Sequence, residues 1–322
     1  MNTKAQQQGF SLLELMLALS LSIGLTGAVF YYLRQNQNVF IVEASIADLH
    51  QNFRASMDLI TRDIQSAGSG APRFLGPISM QDGGTDASGN PLPDEIFILY
   101  GDPTFTDVPV INSTTGTPLT SRTSAIQVQT PPVGAPAFTN GQNYILYAVA
   151  QANEIGTADL AEFDVFTLNS QSNIAGGIQL SAAATSAVNP PSWATVFPSA
   201  AALRVTRLSE WVRYRVDTTT NELQRSVNGG AFVAVAHDIA NMQLQYWIEH
   251  VDPVTGAVTP SLVDQVGTTT TNNRALIRNV VLTLTGRTQM SRNTDGQGQR
   301  SISQTIQITP RNLVLPGFVR NR

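Results

Sequence analysis

One carboxylate, Glu14, stands inside an otherwise uncharged apolar stretch, Phe10 to Leu33, that reads FSLLELMLALSLSIGLTGAVFYYL. Near a bilayer centre such a charge costs on the order of 2.5 to 3.5 kcal/mol, so a carboxylate in this setting marks a function and implies a partner. Other residues able to do chemistry are sparse. His50, His237 and His250 are the only histidines and are too dispersed for a triad or a metal cluster, so all three read as surface or packing residues. Asp82, Asp86 and Asn90 in a Gly-rich loop, and Asn293-Thr294-Asp295-Gly296, offer oxygens of the kind calcium takes. Neither has EF-hand spacing, and the same residue types serve ordinary turns. No GxSxG, HExxH or P-loop occurs. The absence of cysteine removes disulfides, thiolate zinc sites and cysteine nucleophiles together. No catalytic residue, metal or cofactor is expected, and the chain reads as a non-enzyme.

The element that holds Glu14 must be a helix. Phe10 to Leu33 is long enough as an α-helix to cross a hydrocarbon core of roughly 30 Å. A secretory signal peptide has a similar outline, but its shorter apolar run ends at a small-residue cleavage site. Here the run passes at Arg34 into an amphipathic pattern. Val39, Val42, Ile46, Leu49, Phe53, Met57, Ile60 and Ile64 recur every three or four residues and form one stripe, with Glu43, Asp48, Gln51, Arg54, Asp58 and Arg62 opposite. Gly68-Ser69-Gly70-Ala71-Pro72 ends the pattern. The expectation is one helix over 10–67, its 10–33 half in the membrane and its stripe packed on a globular head; a coiled-coil seam is the rival reading of the stripe. Gly24 and Gly27 can loosen the helix or permit close helix approach, or are simply ordinary transmembrane composition.

Beyond the helix, 68–94 is rich in Gly, Pro, Asp and Ser and reads as a linker or long loop. Short apolar runs then recur between turn residues: Glu95 to Tyr100, Ala125 to Val128, Tyr144 to Val149, Glu162 to Leu168, Leu203 to Leu208 and Trp211 to Val216. Thr218-Thr219-Thr220-Asn221 joins the last of these to Glu222–Val227 as a hairpin, and Asn228-Gly229-Gly230 leads into Phe232 to Ala236. Met242, Leu244, Tyr246 and Ile248 alternate with Gln243, Gln245, Trp247 and Glu249, the pattern of a strand with one buried face. Val280 to Leu284 and Ile302 to Ile308 complete the set. The organisation read from this is α+β, with a β-rich insertion region over 95–200, a low-complexity connection from Ser181 to Ala202, and a β-rich head over 201–322. Only 13% of residues are charged and the net charge is -4, without a basic stripe, so nucleic acid is not an expected partner.

Gln8-Gly9-Phe10-Ser11-Leu12-Leu13-Glu14-Leu15-Met16 resembles the processing motif of type IV prepilins and of type II secretion pseudopilins. Further on, Arg62-Asp63-Ile64-Gln65-Ser66-Ala67-Gly68, then Trp211-Val212-Arg213-Tyr214, Asp238 to Trp247, and Val280 to Arg287 with a final strand and Arg311-Asn312, are similar to PilW-type minor pilins, relatives of the J-type pseudopilins. The likeness covers residues 1 to 70 and about 201 to 315. It implies an antiparallel sheet head behind the helix and a leader, 1–9, cut between Gly9 and Phe10 by a prepilin peptidase that then methylates the Phe10 amine. Gly9 suits this because it lacks a side chain and lets the backbone lie close to the enzyme. In the family the carboxylate at the Glu14 position meets the free amine of a neighbouring subunit as helices stack, which sets axial register. Tip-type pseudopilins commonly lack that carboxylate, and many major pilins carry a Pro where this chain has Phe30-Tyr31-Tyr32. The resemblance therefore implies a minor pilin in the inner membrane with its head in the periplasm, a low-copy part of a surface pilus. Its partners would be the prepilin peptidase, the other minor pilins, the major pilin and the inner-membrane assembly platform. A J-type pseudopilin, a filament-borne adhesin using 95–200, and a periplasmic enzyme on a plain anchor are the alternatives.

Overall fold

The computed structural model describes residues 11–71, 76–111, 125–148, 163–183, 203–251, 255, 257–266, 276–288 and 301–311. The chain divides into two compact units, Met1–His50 with Thr288–Arg300, and Gln51–Arg287 with Ser301–Arg322. One helix, α1, runs without a break over Leu12–Ser66, 55 residues. Its membrane-length part is apolar on every face, and every large apolar side chain from Leu12 to Leu33 is exposed. Two hydroxyls there are satisfied locally: Ser20 donates to the Leu17 carbonyl at 2.9 Å and Thr26 to the Ser22 carbonyl at 2.7 Å. No polar hydrogen of those two side chains is left for hydrocarbon to strand.

In the second unit the end of α1 packs against two antiparallel sheets. The larger sheet contains β1 (Ile78–Gln81), β2 (Glu95–Gly101), β3 (Val108–Pro109), β4 (Ile126–Gln129), β5 (Asn143–Ala148), β6 (Phe163–Ile174), β7 (Gly177–Ala182), β8 (Leu203–Asp217), β9 (Glu222–Val227) and β10 (Val233–His237). The smaller contains β11 (Ile239–Val251), β12 (Val258–Val263), β13 (Ile277–Arg287) and β14 (Ser301–Ile308), in the order β12-β11-β13-β14. The expected α+β class is therefore what the chain adopts, with the helix on antiparallel sheets. Alternation in β11 holds as read: Met242, Leu244, Tyr246 and Ile248 are buried while the residues between them are half-buried.

Strand β8 organises the larger sheet. The runs Leu203–Leu208 and Trp211–Val216 are one strand of 15 residues, not two. Polar Ser209-Glu210 hides this in the sequence, and the register shift where Gly101 pairs with Leu208 after Tyr100 pairs with Glu210 lies at that spot. Its first half pairs with β5 and β3, and its second half with β2 and β9. The stretch read as linker contains β1, and 95–200 contributes β2 and β5 directly to the β8 ladder. The Thr218–Asn221 turn closes the β8–β9 hairpin, with Asn221 at φ 53°, a left-handed conformation that Asn tolerates. The Ser181–Ala202 connection lies outside the described residues beyond position 183.

The main core lies between the helix end and both sheets, built on Phe53, Ile60 and Ile64 of α1, Tyr214 of β8, and Leu244 and Leu282 of the smaller sheet. A second core gathers Phe105, Phe138, Tyr144 and Phe166, whose rings meet edge-on, tilted or stacked at 5.2 to 5.8 Å. Such ring pairs contribute about 0.5 to 1.5 kcal/mol each beyond area burial. Asp94, 3% exposed, ties the sheets together: its N–H donates to the Met242 carbonyl at 2.8 Å, and its carboxylate accepts the Gly83 and Leu244 N–H groups at 3.0 and 2.8 Å. Burial, with the neighbouring Asp82 carboxylate, pushes the Asp94 carboxyl above its usual range.

Candidate functional site

Glu14 lies in the first turn of α1, where free N–H groups and the helix dipole favour a negative charge. Its surroundings are apolar: Leu13, Leu15 and Leu17 are 73%, 58% and 58% exposed. Among the described residues its carboxylate has neither a hydrogen-bond donor nor an ion-pair partner. Gly9 and Phe10 lie outside the described residues. Gly24 and Gly27 face open space, since an added Cβ would meet nothing within 4 Å.

The predicted stripe divides along its length. Phe53, Met57, Ile60 and Ile64 are in the main core, and Leu49 is fully buried. Val39 and Ile46 are half-buried, and the side chain of Val42 lies outside the described residues. The part of the stripe that meets the sheets is thus its C-terminal half, Phe53 to Ile64.

At that junction the structure brings together segments far apart in sequence. The Tyr214 hydroxyl donates to Asp63 Oδ2 at 2.6 Å, and Arg225 Nε reaches the same oxygen at 3.3 Å. Arg225 Nη2 pairs with Glu210 Oε1 at 3.3 Å, and the Tyr100 hydroxyl donates to the Asp63 carbonyl at 3.0 Å. The main chain joins in: Gly68 N–H donates to the Leu99 carbonyl, Gly101 N–H to the Ser69 carbonyl, and Arg311 N–H to the Gln65 carbonyl. Burial, and then the Asp63 charge, pushes the Tyr214 and Tyr100 phenols well above their usual range, so both stay protonated donors. Burial opposes the charge on Arg225, but the Tyr214 and Asp63 oxygens outweigh it. An open polar pocket of about 390 Å³ lies here, lined by Asp63, Ser66, Tyr100, Glu210 and Arg225 among others. A carboxylate shared by a phenol and a guanidinium at the last turn is a clamp on the helix end.

The segments Arg62–Gly68 and Trp211–Tyr214 stand out in the sequence, but nothing there gives Asp63, Tyr214, Arg225 or Glu210 an individual role. Their signal was a polar residue, Asp63, one position before the last stripe residue, and a partner 151 positions away is not legible from local pattern. His50 is exposed on the helix, His237 sits 3.1 Å from Glu222 at the surface, and His250 is half-buried on β11. Asp86 spends both oxygens on its own loop, accepting the Ser88 and Asn90 N–H groups and the Asn90 amide. Asp82 accepts the Gly84 N–H. Asn293–Gly296 lies outside the described residues.

Comparison with known proteins finds no matching family model, no matching curated protein and no matching solved structure. What stands is the topology: a long apolar N-terminal helix whose end packs on antiparallel sheets, a pilin-like arrangement. That helix is long and apolar enough to be a single membrane span, and by length and composition a signal sequence passes the same test.

Proposed function

We propose that this chain is a minor pilin, matured by cleavage between Gly9 and Phe10 and methylation of Phe10, that assembles with other pilins to start or cap a type IV pilus. The observation that carries this reading is the continuity of α1. The same unbroken helix is apolar and exposed from Leu12 to Leu33 and buried in the main core from Phe53 to Ile64. A removable signal sequence has no reason to be one rod with a core element, whereas an anchor that must later pull a folded head into a filament does. Glu14 fits the same reading as the carboxylate that receives a neighbour's terminal amine, two charges that each cost less in apolar surroundings when paired. The chain would enter the inner membrane once, head outward, and meet the peptidase, its fellow pilins and the assembly platform there.

The test is terminal mass spectrometry of the mature protein from wild-type cells. The expected species begins at Phe10 with a methylated amine, and replacing Gly9 by a bulky residue leaves the leader attached and the protein stranded in the membrane. Recovery of an intact Met1–Gly9 leader from wild-type cells overturns the proposal.

A further inference from the structure

Natural sheets protect their edges by shortness, proline, charge or bulges, because an open edge invites another strand. Among the described residues the edges follow that rule with one exception. β1 and β4 have four residues each, β10 has five with a register shift, and β12 carries Pro260. β14 has eight residues, SISQTIQI, with no proline and no charge, and pairs with β13 in unbroken register from Ser301 opposite Arg287 to Ile308 opposite Val280. Among the described residues β13 is its only neighbour, and Ser301, Ser303, Gln304, Thr305 and Gln307 are exposed. A hydroxyl ladder already crosses toward this edge, with Thr283 to Thr305 at 2.8 Å and Thr285 to Ser303 at 3.2 Å. On the opposite face Ile302 and Ile306 are only half covered.

Charge brackets this neutral row. Arg287 is exposed at one end and its guanidinium has no hydrogen-bond or ion-pair partner among the described residues. Arg311 is exposed just beyond the other end, with a single long side-chain contact, 3.4 Å, to Gln65. We infer that the outer edge of β14 is a strand-addition site for an extended segment of another polypeptide, uncharged through its middle, alternating apolar with hydroxyl or amide residues, and carrying carboxylates at its ends. Main-chain hydrogen bonds along about 27 Å of edge supply affinity, Ile302 and Ile306 set which face is apolar, and the two arginines choose against basic segments. This inference concerns the edge alone and does not depend on the pilin reading.

The experiment uses the full chain in detergent micelles and a capped peptide alternating isoleucine with threonine or serine, with glutamate at each end. Hydrogen exchange of the 301–308 region should slow by about tenfold at the outward amides when the peptide is added. A version ended by lysines should bind roughly fivefold more weakly at low salt, the gap closing at high salt. Gln304→Pro and Thr305→Pro form a matched pair, because adjacent strand residues turn their N–H groups to opposite edges. The variant whose lost N–H faced outward should keep β13–β14 protection and lose the peptide. No slowing at millimolar peptide overturns the site, equal binding of the lysine-ended peptide at low salt overturns the acidic partner, and peptide-free protection that rises with protein concentration assigns the edge to a second copy instead.

Discussion

Two tyrosines of the main core have the same burial and opposite surroundings. Tyr214 gives its proton to Asp63 at 2.6 Å, whereas the Tyr246 hydroxyl, fully buried, has no partner among the described residues. A hydrogen bond to a charged group contributes about 1.5 to 3 kcal/mol, and a stranded buried hydroxyl costs about 1 to 3. Tyr214→Phe should therefore lower stability by about 1.5 to 3 kcal/mol while Tyr246→Phe leaves it unchanged or raises it by about 1 kcal/mol. Denaturant midpoints followed by fluorescence of buried Trp211 measure both, and equal losses would show that Asp63 does not clamp the helix end. Glu14 poses a different question, since its carboxylate has no partner among the described residues. Removing it makes the apolar stretch more favourable in lipid, so Glu14→Ala should insert at least as well as the wild type and, on the reading proposed above, fail to co-purify with pilins. Normal assembly of that variant rejects a register-setting role. Glu14 was legible because a lone charge in an apolar run is a local anomaly; Asp63 was not, because a carboxylate beside an amphipathic stripe looks like any solvated residue until Tyr214 and Arg225 are seen across from it.

The helix was the most legible element, since its period of three to four persists from Val39 to Ile64 and its glycine stop is explicit. Less legible was what that stop does. Gly70, at φ 73°, and Gly101 at the end of β2 lie back to back, and a Cβ on Gly101 would come within 2.4 Å of the backbone at Gly70 and Ala71. The three nearest atoms are all backbone, so no flexible side-chain end can yield there. Gly101→Ala should cost about 2 to 4 kcal/mol by forcing the helix exit off the β2 edge, even though alanine is the smallest possible change. Gly24→Ala is the internal control: it meets nothing within 4 Å, and alanine favours the helix, so stability should hold or rise. A mild effect at Gly101 would mean that the exit strand is not fixed there. Both glycines sat in segments whose composition announced turns, but composition does not say which glycine permits a turn and which permits two backbones to touch.

Over the whole molecule, the sequence separated an unmatched region, 95–200, from a head at 201–322, while β8 runs through the ladder of both, pairing β5 with its first half and β9 with its second. Local pattern breaks at Ser209-Glu210 and conceals this, because a strand crossing from one core to another changes its buried face along the way. The consequence is a head in which the added strands are fastened to the strand that also carries Tyr214 of the helix clamp. On the minor-pilin reading proposed above, such a head is large for a subunit that must repeat at every step of a filament, and few copies are expected in each pilus. The protein should be scarce in sheared pili relative to the main subunit, yet its deletion should sharply reduce pilus number by removing a partner needed to begin assembly. Quantitative mass spectrometry of sheared filaments beside pilus counts in the deletion strain tests both parts. Abundance equal to the main subunit would make this a major pilin. Unchanged piliation with lost protein secretion would move it to the J-type pseudopilins, and lost surface attachment with both intact would turn attention to the strands of 95–200, whose aromatic core around Tyr144 then becomes the scaffold of a binding surface.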